Sequence, residues 1–138
     1  MTDIADVDQS PPSDFSLPVL ADWRSVYGGQ TNVLLEGPES ALSAVLLRLK
    51  GRLREPVLWK PSSQAFDVPS GEVGGLVLQE VSAMSTEEQF RVLAWLDAAK
   101  ERPRIVSTTT SPLFPCVARG LFDATLYYRL NVMLLRLG

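Results

Sequence analysis

Short apolar runs alternate with segments of helical periodicity along the whole chain, and this alternation limits the fold more than any other feature of the sequence. Asn32–Glu36 holds Val33-Leu34-Leu35, which suits a short buried strand. Leu42, Val45, Leu46 and Leu49 then recur at helical spacing across Ser40–Leu49, with Gly51 as a stop. Pro56–Lys60 (Val57-Leu58-Trp59), Gly75–Glu80 (Leu76-Val77-Leu78), Arg104–Thr108 and Asn131–Leu137 supply four more strands. Pro18–Tyr27 predicts a short helix closed by Gly28-Gly29, and Leu113–Tyr128 a turn with a short helix. Ser85–Ala99 gives the clearest helix, because Ser85 and Glu88 have the spacing of a capping box. Between the second and third strands, Pro61–Val73 is a loop rich in Ser, Pro and Gly. Strands that alternate with helices need crossover connections and therefore a mainly parallel sheet. The expected fold is an α/β three-layer sandwich with five strands.

Composition removes much chemistry. The chain has 138 residues, 46% hydrophobic and 21% charged, which fits one globular domain. It has no histidine, so Ser-His and Cys-His catalysis and His-metal sites are excluded. The single cysteine, Cys116, cannot form an internal disulfide and suits a small buried hydrophobe. A net charge of -3 argues against direct DNA binding over the whole surface. No run approaches the roughly 20 apolar residues of a membrane span, and the acidic start lacks the apolar core of a secretory signal.

Charge is unevenly placed. Asp3, Asp6, Asp8 and Asp14 lie in a stretch with no base, and residues 1–15 are expected to be a mobile acidic tail ahead of a domain at 16–138. Arg48, Lys50, Arg52, Arg54 and Lys60 form the opposite cluster, of which Arg48 and Lys50 suit a helix C-terminus. Glu87-Glu88 suits a solvated helix start.

Several segments together carry a resemblance. Leu121-Phe122-Asp123-Ala124-Thr125-Leu126-Tyr127-Tyr128-Arg129-Leu130-Asn131-Val132 resembles the F-R-x-D-L-Y-Y-R-L-N-V stretch of the AAA+ ATPase domain of sigma-54-dependent transcription activators. Gly75–Val81 resembles that family's Walker B strand, T-L-F-L-D-E-I. Gln89–Leu93 resembles the helix that follows, Arg104–Thr110 the sensor strand R-V-I-A-T-T-N, and Val33–Gly37 the strand entering the phosphate loop. The resemblance implies a P-loop NTPase-type core with strand order 5-1-4-3-2.

The departures fall on the chemistry. Where the family has G-E-S-G-T-G-K-[ED], this chain reads Gly37-Pro38-Glu39-Ser40-Ala41-Leu42-Ser43-Ala44. A phosphate loop uses glycines so that backbone N–H groups can approach phosphate. Of these only Gly37 remains. Pro38 has no N–H, Leu42 replaces the last glycine, and Ser43 replaces the lysine. Gln79 stands where an aspartate would hold Mg²⁺, and an uncharged amide is the weaker ligand. Glu80 keeps the place of the water-activating glutamate, but without metal or phosphate it suits a polar cap at a strand end. Thr110 replaces the sensor asparagine. Asp123 replaces one of the two arginines the family offers to a neighbour's nucleotide, whereas Arg129 retains the other and equally suits a salt bridge. The family's long insertion with G-A-F-T-G-A is absent, the loop here holding Phe66, and a core subdomain with no lid is expected.

These losses lead to an expectation of no enzyme activity, no cofactor and no metal. The chain is expected to be a non-catalytic module of bacterial cytoplasmic origin that binds and controls, or inhibits, another protein, and to be a monomer or small oligomer when alone. Alternatives are a nucleotide-binding module without hydrolysis, an ATPase subunit completed in trans, and a transcription-linked factor that caps a true activator. Partner-binding candidates are Phe90, which falls on the polar side of its helix, and Val57 and Trp59, which share a face of an expected edge strand. Either Phe90 is an exposed anchor or the N-terminal segment covers it through Phe15 or Leu17.

Overall fold

The computed structural model describes residues 17–137, with side chains from Trp23 onward. The expected acidic tail, and the proposed cover of Phe90 by Phe15 or the Leu17 side chain, lie outside the described residues. Five strands form one parallel sheet: β1 (Val33–Glu36), β2 (Val57–Lys60), β3 (Gly75–Leu78), β4 (Arg104–Thr109) and β5 (Met133–Arg136). Their order is β2-β3-β4-β1-β5, as the resemblance implies. The central strands β1, β3 and β4 are buried along their whole lengths, which is why they appear in sequence as unbroken apolar runs rather than alternating ones.

Helices cover both faces. On one face lie α1 (Leu17–Gly28) and α2 (Glu39–Lys50), packed through Trp23, Val26, Leu42, Val45, Leu46 and Leu49 onto Val33, Leu35, Val77 and Val106. On the other lie α3 (Thr86–Ala98), α4 (Phe114–Ala118) and α5 (Ala124–Leu130), which pack with Phe66 onto Leu34, Leu76, Leu78 and Ile105. The expected helix α3 begins at its capping box: Ser85 Oγ accepts from the Glu88 N–H at 3.1 Å, and Glu88 Oε1 accepts from the Ser85 N–H at 3.4 Å. The segment expected to hold one short helix after Leu113 forms two, separated by a turn through Gly120. Gly120 has φ +75°, a conformation that costs glycine little.

Polar contacts change the reading of two charges, Lys60 and Glu88. Lys60 is buried and faces Glu88 at 3.8 Å, and Glu88 also accepts from the Phe66 N–H at 3.1 Å. Glu88 is therefore an anchor for the short loop after β2, not only a solvated helix start, and Lys60 does not belong to a surface basic cluster. Phe66 plugs the core beside Trp95, with ring centroids 5.9 Å apart. At the other end of the sheet, the buried Arg104 side chain donates to the carbonyls of Thr31 and Val26 and closes the C-terminus of α1. Burial, and then neighbouring Arg52, hold this guanidinium below its ordinary pKa. Among the described residues no helix is long and apolar enough to cross a membrane.

Candidate functional site: a cleft at the strand ends

In an open α/β sheet, ligands sit beyond the carboxyl ends of the strands where the chain order reverses. Here the reversal falls between β4 and β1, and a cleft of about 270 Å³ opens nearby. Its lining includes Glu39, Leu42 and Ser43 from the start of α2, Gln79 and Glu80 after β3, and Thr110 after β4. The structure thus gathers Leu42, Ser43, Gln79 and Glu80 from the predicted site residues around one cavity. Among the described residues the lining holds two carboxylates and no lysine or arginine.

Each group in the cleft has a local reason for its place. Pro38 caps α2 without a side-chain hydrogen bond, and its carbonyl accepts from the Leu42 N–H at 3.0 Å, so that donor is already used within the helix. Ser40 is exposed at the start of the same helix and is not part of the cleft lining. Gly37 has a reason that involves no ligand. A Cβ there would lie 2.7 Å from the Leu137 carbonyl oxygen, and the Gly37 N–H donates to Thr109 at 3.2 Å. The close passage of the β1 exit beside the end of β5 therefore requires glycine.

Glu80 is the only non-glycine residue with positive φ among those described, at φ 53° and ψ 62°. Such a backbone costs on the order of 1 kcal/mol or more and persists only where surrounding contacts hold it. Those contacts are present. Its carboxylate accepts from the Thr110 N–H at 3.0 Å, from Thr110 Oγ1 at 2.8 Å and from Ser82 Oγ at 2.9 Å, while its own N–H donates to Thr108 Oγ1 at 3.0 Å. Glu80 is thus tied to the strand end beside it. Gln79 Oε1 accepts from the Trp59 indole N–H at 2.8 Å, so the amide links the cleft to the edge strand.

The predicted partner residues lie elsewhere. Phe90 is 72% exposed on α3. Val57 and Trp59 lie on β2, which is an edge of the sheet; Trp59 is exposed and Val57 half-buried. Cys116 is half-buried rather than fully buried. The motif-like segment Leu121–Val132 forms a separate unit on the flank. Asp123 is the N-cap of α5, its carboxylate accepting from the Leu126 N–H at 2.8 Å, a role signalled by an acid just ahead of a helical run. Arg129 pairs with Asp97 of α3. Sequence reasoning missed Gln89, which is buried and staples this unit: its amide donates to the carbonyls of Met84 and Leu121 and accepts from the Asp123 N–H. The signal was a polar residue on the same helical stripe as Val92 and Leu96.

A model of the family described as the Sigma-54 interaction domain matches residues 28–138. The chain belongs to this family. Over 111 residues it is 37% identical to the transcriptional regulatory protein GlrR of Escherichia coli K12, and equally to QseF of Escherichia coli O157:H7. Each match covers 72% of this chain but 24% of the relative, so the chain spans about a quarter of the length of these regulators. Among solved structures, NtrX from Brucella abortus in complex with ADP superposes with a TM-score of 0.68 at 17% identity, covering 96% of this chain and 40% of that one. The P-loop NTPase domain of an E. coli sigma-54 activator gives 0.60 at 16% identity, covering 88% of this chain and 96% of that one. The five-stranded parallel sheet is thus that of the AAA+ P-loop core. By the sequence resemblance, the cleft lies where this family has its phosphate loop and Walker B strand, and the flank where it has the F-R-x-D-L-Y-Y-R-L-N-V stretch.

Proposed function

We propose that this sigma-54 interaction domain is a pseudo-ATPase that works by binding and controlling another protein. The observation that supports this most is the cleft lining, with its two carboxylates and no cation. A magnesium-bound nucleoside triphosphate needs a cation and converging N–H donors for its phosphates and a carboxylate for its metal. Here Pro38 lacks an N–H, Leu42 donates within its helix, Ser43 and Gln79 are neutral, and the carboxylate of Glu80 is shared among Thr110 and Ser82. These residues do not fit that ligand.

What remains for function is a surface. Phe90 stands out exposed from α3, the kind of aromatic anchor that dominates protein interfaces. Kinship with transcriptional regulators makes a protein of the sigma-54 activation machinery the natural class of partner.

The test is calorimetry or thermal shift with millimolar ATP and Mg²⁺. The expected result is no saturable binding tighter than a Kd of about 1 mM, an affinity of about 4 kcal/mol. A saturable rise in melting temperature overturns the pseudo-ATPase reading in favour of a nucleotide-binding module without hydrolysis.

A further inference from the structure

The two edges of the sheet are not equally protected. On β5, the Met133 N–H donates to Asn32 and the Leu137 N–H to Glu36, both on the β1 side. Alternation along a strand then turns the backbone groups of Leu134 and Arg136 outward. Arg136 is exposed and charged, a common guard of an open edge. On β2, the carbonyls of Pro56 and Lys60 accept from Gly74 and Gln79 on the β3 side. The same alternation turns the N–H and C=O groups of Val57 and Trp59 away from the sheet. The only charged residue of β2, Lys60, is buried against Glu88 on the other face of the sheet and does not guard this edge.

The outward groups are placed symmetrically about Leu58. If a second β2 runs antiparallel, Val57 of one copy faces Trp59 of the other, and Trp59 faces Val57. Each pair exchanges two N–H···O bonds, and Leu58 meets Leu58 on the two-fold axis as a non-hydrogen-bonded pair. Val57 and Trp59 also share a sheet face, so each hydrogen-bonded pair stacks an indole against a β-branched side chain, a favourable cross-strand combination. Beside this edge lies a groove of about 830 Å³ lined by Leu53, Pro56, Val57 and Trp59 together with Lys50 and Glu55. One cation and one anion, neither in an ion pair among the described residues, make the groove complementary in charge to its own copy. Pro56 and Pro61 bracket the strand, and Pro61 has no N–H to extend the ladder.

We infer that β2 is a self-association edge through which two copies of this chain pair antiparallel about Leu58 into a closed, two-fold dimer. The pairing is limited to four backbone hydrogen bonds, so it is reversible and dependent on concentration. It does not rest on the pseudo-ATPase reading, and it leaves Phe90, on the other side of the sheet, free for a different protein.

Sedimentation of the full chain should show an average mass that rises with concentration from 15.2 kDa toward twice that value and no further. Trp59→Lys, which puts a charge on the edge, should hold the mass at that of the monomer, whereas Phe90→Lys should leave the concentration dependence unchanged. Register is tested by cross-linking in a Cys116→Ser background. Leu58→Cys should oxidise to a disulfide-linked dimer, because opposed non-hydrogen-bonded residues lie about 4.5 Å apart at Cα. Trp59→Cys should not, because its own copy lies diagonally beyond the roughly 7 Å limit for a disulfide. A mass of one chain at every concentration, association that survives Trp59→Lys, or preferential cross-linking through Trp59→Cys overturns the inference.

Discussion

The cleft at the ends of β3 and β4 and the flank from Leu121 to Val132 occupy two landmark positions of one family, yet only the flank keeps the family's wording. The difference follows what each residue touches. In the flank, Phe122, Leu126, Tyr127 and Leu130 are buried, Asn131 donates to the Tyr127 hydroxyl, and Arg129 pairs with Asp97. These side chains serve the fold itself and would be needed whatever the domain binds. In the cleft, Ser43 and Thr110 are exposed and Gln79 and Glu80 half-buried, at a helix start and at strand ends, while Leu42 turns into the core beneath. The one family glycine still present, Gly37, lies against β5. A family pattern therefore mixes residues that answer to packing with residues that answer to a ligand, and this chain separates the two.

Substitutions can break or sharpen that separation. The largest loss is expected in the flank. Leu126→Ala deletes a fully buried side chain and should cost about 2–5 kcal/mol in a denaturant melt. A loss under 1 kcal/mol would mean the flank does not owe its wording to packing. Gly37→Ala comes next. The new Cβ would meet the Leu137 carbonyl at 2.7 Å and should destabilise the domain by about 2 kcal/mol, in the range of backbone-strain effects. A neutral result would return Gly37 to the ligand side of the comparison. Asp123→Ala removes the α5 cap and should cost about 1 kcal/mol; unchanged stability would mean that the cap does not hold the flank. Phe90→Ala should change stability by no more than about 0.5 kcal/mol, as surface substitutions do. A loss of several kcal/mol would show Phe90 to be covered and remove it as a partner anchor.

The sequence was informative where periodicity or local spacing decides the structure. The strands, the stop after α2, the capping box at Ser85 and the edge position of β2 all follow from residues within a few places of one another or from family order. The contacts that were not legible join residues far apart in the chain. Glu88 looks like a solvated helix start until β2 brings Lys60 beneath it, 28 positions earlier in the chain. Asp123, compared only with a missing arginine, conceals its use as a cap. Gln89 looks like a polar interruption until the turn at Leu121 supplies partners for both ends of its amide. For the site, the sequence grouped Leu42, Ser43, Gln79 and Glu80, which the structure brings to one cleft, but not Leu46, Ser62 or Thr108. The left-handed backbone of Glu80 and the Thr110 contacts that hold it depend on the relative position of β3 and β4, which neither strand encodes alone.

The hydrogen bond from the Trp59 indole to Gln79 gives the molecule an optical property. Of its three tryptophans, Trp23 is buried and Trp95 packs beside Phe66, so Trp59 is the indole whose surroundings change most easily. It sits where the cleft meets the edge strand. A ligand that turns Gln79 away would free the indole N–H toward water, and a strand laid along β2 would shield the ring. The first would move emission to the red and the second to the blue. The intrinsic fluorescence of the unlabelled protein therefore distinguishes events in the cleft from events at the edge by the sign of a single spectral shift.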